Sequence, residues 1–264
     1  MIAAGVCDDH AVSGIAERLR EVRERIAAAE RAAGRAEGSV SLIAVGKTFP
    51  ADAIREVAAL GQVDFGENRA QELLGKAAEL ADLPLRWHFI GQLQRNKAAA
   101  VARVGAVVHS VDRMSLAETL SRAGEGAGRP VDVLLQVDLG GPEGELATRG
   151  GAAPADVPRL ADAVAALPGL RLRGLMAVAP RGEEPAPAFA RLAELATALR
   201  ADHPGATDLS AGMSADLEEA VAAGATLVRV GTAIFGDRHL PSGEDRRTPA
   251  TRVTPVTRAP NPPG

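Results

Sequence analysis

Val131-Asp132-Val133-Leu134-Leu135-Gln136-Val137 is the stretch that decides the fold. Its consecutive aliphatic residues Val133, Leu134 and Leu135 leave no polar face, so a strand built from them has to be covered on both sides. A parallel sheet with helices packed against it meets that need; an antiparallel sheet with one face in water does not. The same kind of run recurs at 40–45, 63–65, 86–90, 106–109, 170–178, 207–209 and 226–230. Stretches rich in Ala, Leu, Glu and Arg separate these runs, and the clearest helices are expected over 68–80, 92–104 and 184–200. Eight such strand and helix units predict an α/β protein with a single closed (β/α)8 TIM barrel, the alternative being an open Rossmann-like sheet.

Ahead of the first strand, Ile15, Leu19, Val22 and Ile26 fall on one face of a long amphipathic helix. It is expected to start near the capping candidates Asp8 and Asp9 and to stop by Gly34. Little helical pattern follows the last strand, so this N-terminal helix is expected to cover that gap. The division is then a lead over 1–9, a barrel over 10–238 and a disordered proline-rich tail over 239–264. Of the 17 prolines, six lie within 241–264, where large apolar side chains are nearly absent. Gly140 to Gly151 reads as a flexible loop.

The 264 residues are 46% hydrophobic and 24% charged, the balance of a soluble globular protein. A net charge of −4 and 2% aromatics argue against a nucleic-acid surface. The apolar start before Asp8 is too short for a signal-peptide core, and no run approaches the roughly 20 residues of a membrane span, so a cytoplasmic protein is expected. Cys7 stands alone, which excludes an internal disulfide, a CxxC pair and a cysteine zinc cage. The histidines at 10, 88, 109, 203 and 239 show no HExxH spacing, and no metal site is expected. Tyrosine is absent, and of the 30 lysines and arginines only Lys47, Lys76 and Lys97 are lysines.

In such barrels the residues just after each strand form the active face. Gly46-Lys47-Thr48 follows the first strand. A phosphate-binding P-loop would need a glycine where Ser41 stands, and a strand fills the interval instead of a glycine loop. A lysine at a strand end with apolar wall behind it has another use: its neutral amine can attack an aldehyde and form a Schiff base. A surface loop lysine is the competing reading. Lys76 and Lys97 lie in helical stretches and are expected to be solvated. After the seventh strand, Ser210-Ala211-Gly212-Met213-Ser214 leads into a helix and can present backbone N–H groups and a hydroxyl to an anion; Ser214 as a plain helix cap is compatible with this. Gly231-Thr232 follows the eighth strand, and loops after strands seven and eight are where these barrels bind phosphate. Arg229 can point into the barrel, toward a ligand or toward an intra-barrel partner such as Glu67 or Asp138. Asn68 and His88 also fall at strand ends, where each can equally serve a turn or the core.

Taken together, Ala44-Val45-Gly46-Lys47-Thr48, Phe65-Gly66-Glu67-Asn68, Trp87 to Lys97, His109-Ser110-Val111-Asp112-Arg113, Gly174-Leu175-Met176 and Arg229 to Gly236 resemble the pyridoxal phosphate homeostasis protein family. The resemblance spans about residues 10 to 238. It implies a barrel like the N-terminal domain of alanine racemase, a fold-type III binder of pyridoxal 5'-phosphate (PLP). It further implies Lys47 as the Schiff-base lysine, Ser210, Gly212, Met213, Gly231 and Thr232 around the phosphate, Arg229 at the pyridine nitrogen, and Asn68 and His88 nearby. Gly46 and Ala211 replace the Ser and Met common at those positions. The function implied is a monomeric, non-catalytic protein that buffers PLP, a vitamin B6 form, or delivers it to apo PLP-dependent enzymes. A PLP-dependent amino-acid racemase is the alternative, and it would need a tyrosine base and a second domain that this sequence lacks.

Overall fold

A computed structural model of the chain describes residues 9–140 and 150–236. The expected lead up to residue 8, most of the 140–151 loop and the proline-rich tail lie outside the described residues. The strands are β1 (Ser41–Val45), β2 (Asp64–Glu67), β3 (Arg86–Phe89), β4 (Val107–Val111), β5 (Val131–Gln136), β6 (Leu170–Met176), β7 (Asp208–Ser210) and β8 (Leu227–Val230). They pair in parallel in sequence order, and β8 returns to β1 with Val230 opposite Ala44, which closes the barrel. The sheet is therefore the closed barrel and not the open Rossmann-like alternative.

Val133, Leu134 and Leu135 are all fully buried, as a strand walled by helices on one side and by barrel interior on the other requires. Each such side chain contributes about 1.5–3 kcal/mol through removal from water. The helices outside are α1 (Asp9–Ala32), α2 (Ala51–Ala59), α3 (Ala70–Glu79), α4 (Arg95–Val104), α5 (Met114–Gly126), α6 (Val157–Ala165), α7 (Pro185–Asp202), α8 (Leu217–Ala222) and α9 (Thr232–Phe235). Because α9 is a single turn, β8 is followed by no full helix among the described residues. The buried face of α1, with Leu19, Val22 and Ile26, packs against α8, α9 and α2 and fills that place. None of the described helices is long and apolar enough to cross a membrane.

Arginines fasten α1 to the end of the barrel. Arg25 pairs with Glu218 at 2.8 Å, Arg18 donates to the Ile234 carbonyl at 2.8 Å, and Arg35 donates to the carbonyls of Val221 and Ala225 at 3.0 and 2.7 Å. The turn into β1 hangs on buried Glu30, whose carboxylate accepts from the backbone N–H of Val40 at 2.7 Å and of Gly38 at 3.0 Å and from the Ser39 hydroxyl at 3.1 Å. Glu30→Ala would leave these donors unpaired and is expected to cost about 1–3 kcal/mol. An unchanged denaturation midpoint would show that the turn does not depend on this carboxylate.

Strand ends differ from expectation where the barrel carries polar residues. The second strand runs from Asp64 to Glu67 instead of ending at residue 65, and the fourth continues to Val111. Polar side chains inside or behind a barrel break the apolar run without breaking the strand.

Candidate functional site

The C-terminal ends of the strands surround a cavity of about 460 Å3, and Lys47, Asn68, Met213, Arg229, Gly231 and Thr232 all line it, with Thr48, Phe49 and Ile90. Six expected positions thus meet in one place. Lys47 is exposed at its rim and not desolvated against the barrel wall, because the chain turns outward directly after β1. Its ammonium has no hydrogen bond or ion pair among the described residues. A partnerless amine facing a cavity is what capture of a carbonyl requires.

The backbone on either side of that lysine is gripped by α3, whose Glu72 and Lys76 lie four residues apart and so share a face. Lys76 Nζ donates to the Gly46 carbonyl at 2.8 Å and to Glu67 Oε1 at 2.6 Å. Glu72 Oε2 accepts from the Thr48 N–H at 2.9 Å. Thr48 has φ of 70°, left-handed backbone that costs a β-branched residue of order 1–3 kcal/mol unless its surroundings hold it. The expectation that Lys76 is solvated is therefore corrected: it is buried, because Glu67 on β2 faces the helix layer and compensates its charge, whereas Lys97 is exposed. Burial pushes the Glu67 carboxyl up to about 7, against the Lys76 hydrogen bond that pulls it down. At Gly46, an added Cβ would lie 2.2 Å from Ile54 Cδ1, so Ile54 occupies the room that a serine there would use.

Across the cavity, Gly212 has φ of +87°, and a Cβ there would stand 2.6 Å from that of Ala220, which leaves only glycine to bring this loop onto α8. The helix cap is Asp216, not Ser214; Asp216 Oδ1 accepts from the Met213 N–H at 2.6 Å. Gly212 itself is buried, and Met213, Ser214 and Ala215 present this loop to the cavity. Thr232 opens α9, whose first N–H groups have no intrahelical acceptor.

Arg229 reaches the cavity from inside the barrel. Its Nη1 donates to Ser210 Oγ at 2.5 Å and its Nη2 to the Ala177 carbonyl at 2.8 Å, so neither Glu67 nor Asp138 is its partner. Glu67 is engaged by Lys76 on the outer side of the barrel wall. Burial brings the Arg229 guanidinium down to about 10, still a cation at neutral pH. Ser210 and His88 are not part of the cavity wall. Both are buried in the barrel, where His88 bonds Asp64 and His109 and Ser210 bonds His109 and Arg229.

The sequence reading missed the roles of Glu67, Glu72, Lys76, Asp64 and His109, and did not foresee Phe49 at the rim, stacked on Phe235 at 5.0 Å. A signal for the inner residues was present: Val63-Asp64-Phe65, Trp87-His88-Phe89, Val108-His109 and Val228-Arg229-Val230 each set one polar residue in an apolar strand. A larger cavity of about 660 Å3 lies between the end of β5 and α7, but no lysine lines it.

A barrel with an exposed lysine after its first strand and an arginine on its last, both facing one cavity, is of the alanine racemase N-terminal class. Residues 18–239 match the family described as alanine racemase, N-terminal domain. The solved alanine racemase of Streptomyces coelicolor A3(2) superposes with a TM-score of 0.67 at 25% identity, over 86% of this chain and 59% of that one. Within this class the chain belongs to the pyridoxal phosphate homeostasis proteins. It is 52% identical over 230 residues to the one from Pseudomonas aeruginosa, covering 86% of this chain and 97% of that protein. Identity to the one from Escherichia coli K12 is 41% over 233 residues, covering 86% and 98%. The structure of PipY from Synechococcus elongatus with PLP bound is 43% identical, with a TM-score of 0.71 over 84% of this chain and all of that one.

Proposed function

We propose that this protein binds PLP at the strand-end cavity, holds it reversibly as a Schiff base on Lys47, and buffers it or passes it to apo PLP-dependent enzymes, acting as a cytoplasmic monomer without substantial turnover. The observation that carries this reading is a Lys47 without a partner among the described residues, facing the same cavity as Arg229 and the loops after β7 and β8. The residues suit the cofactor: an amine for the aldehyde, small residues and helix-start N–H groups for the phosphate, and a buried cation for the ring nitrogen. The PLP-bound PipY structure and the naming of the relatives support the choice of ligand.

When bound, PLP supplies an electron sink whose strength depends on protonation of its ring nitrogen. Arg229 can only donate, and it stays charged at neutral pH, so it disfavours a proton on a nitrogen facing it. The site is therefore suited to holding the group with a weakened electron sink, a feature it shares with its class and one that does not by itself separate a carrier from a racemase. The absence of tyrosine from the sequence removes the second base that a racemase of the resembling type uses. Incubating the PLP-loaded protein with a panel of L-amino acids is expected to give no sustained racemisation or decarboxylation. Steady turnover with any of them would overturn the carrier reading in favour of the enzyme.

A further inference from the structure

Through the barrel interior runs an unbroken chain of side chains: Arg86 and His88 on Asp64, His88 on His109, His109 on Ser210, and Ser210 on Arg229. Arg86 Nε and His88 Nε2 both lie 2.8 Å from Asp64 Oδ1. His88 Nδ1 is 2.9 Å from His109 Nε2, His109 Nδ1 is 3.0 Å from Ser210 Oγ, and Ser210 Oγ accepts from Arg229 Nη1 at 2.5 Å. His88, His109, Ser210 and Arg229 are all at most 4% exposed. The chain begins at the N-terminal end of β2 and reaches the cavity only through Arg229.

We infer that Asp64, His88 and His109 are positioning residues for the ligand site, fixing the Ser210 hydroxyl and, through it, the Arg229 guanidinium at the cavity. This rests on the reading of that cavity as a PLP site. The direction of every link follows from its two ends. Arg229 has no lone pair to offer, so Ser210 Oγ is its acceptor, and His109 Nδ1 is the remaining partner among the described residues for the buried serine proton. A neutral His109 then carries its proton on Nε2 and donates to His88 Nδ1, and His88 donates from Nε2 to the Asp64 carboxylate. Burial, with His88 and Arg229 adding to it, holds His109 well below the usual histidine range and keeps it neutral. The Ser210 hydroxyl is thereby used on both sides, so its part at the site is to aim Arg229 and not to donate to a phosphate. Leaving a buried donor in such a network unpaired is costly, which is what ties its far end to its near one.

Two measurements test this. In ligand-free protein, nitrogen-15 NMR is expected to show both His88 and His109 protonated at Nε2 only; a proton on His109 Nδ1, or a doubly protonated His88, would overturn the assigned direction whether or not PLP binds. In PLP titrations, His109→Leu is expected to weaken binding about tenfold, the scale of one lost buried hydrogen bond with its unpaired partner. His109→Asn, which restores an acceptor near the Nδ1 position, is expected to recover most of the loss. In an Arg229→Lys background His109→Leu should add almost nothing, since both act through one group. Wild-type affinity in His109→Leu, or losses that simply add in the double variant, would refute the positioning role. Absence of PLP binding by the unaltered protein would refute the ligand reading instead, and the NMR result would still judge the chain.

Discussion

Lys76→Met is expected to destabilise the protein by about 3–5 kcal/mol at pH 8, because breaking a buried ion pair strands the other charge. Glu67 is fully buried, and its second oxygen, Oε2, has no hydrogen-bond partner, so among the described residues only Lys76 compensates its charge. The sign of the pH dependence follows from the carboxyl's position at about 7, above its ordinary 4.5. Between those values the folded chain holds the proton more tightly than the unfolded one, so this group's contribution to stability is full below the ordinary value and is lost as pH rises through about 7. Removing the lysine takes away what pulls the carboxyl down, so protonation relieves the variant at pH 6 more than at pH 8. Denaturant titrations at the two pH values should therefore show the gap to wild type widening with pH. Adding Glu67→Leu to Lys76→Met removes the stranded charge and is expected to restore most of the stability. A gap that does not change with pH, or a double variant as unstable as the single one, would mean that the pair is not what holds this part of the barrel. Because Lys76 also grips the Gly46 carbonyl, the single variant should hold PLP less well even where it is folded.

Lys47→Ala is expected to behave in the opposite way. Lys47 is exposed and has no partner among the described residues, so its truncation should change stability by no more than about 0.5 kcal/mol. Binding should nevertheless fall by about a hundredfold, some 2.7 kcal/mol, with loss of the near-visible band of the PLP-loaded protein. Lys47→Arg separates charge from chemistry: it keeps a cation at the rim but offers no amine that can condense with an aldehyde. If the arginine variant bound PLP with the wild-type spectrum, the lysine would be acting by charge alone. The pairing of these two lysines is informative in itself, since one is expected to govern stability and the other the ligand.

The closed barrel was legible because the Val133-Leu134-Leu135 run of β5 is apolar on both faces and eight short strand-like runs alternate with helical stretches, a pattern with few solutions. That Lys47, Arg229 and the Gly231-Thr232 turn would line one cavity was legible for a related reason: in a parallel barrel, strand ends converge, so position along a strand translates into position in space. The α3 clamp was not. Lys76 has the helical spacing of a solvated residue, and only the depth of Glu67 behind β2 shows that it is buried. The His88 and His109 chain was hidden in the same way, because pairing across the barrel depends on register between strands β3 and β4, which no short-range pattern records. Ser210 was expected beside a phosphate for its place after β7, yet it turns inward, where Arg229 and His109 take both sides of its hydroxyl.

Covalent and reversible attachment of PLP to Lys47 is tested by reducing the PLP-loaded protein with borohydride and locating the adduct by peptide mass spectrometry. The expected result is one PLP-derived mass addition per chain, on the peptide that contains Lys47, and none in a Lys47→Ala sample treated identically. An adduct carried equally by Lys97 or the N-terminal amine, or a protein left unlabelled after reduction, would contradict it.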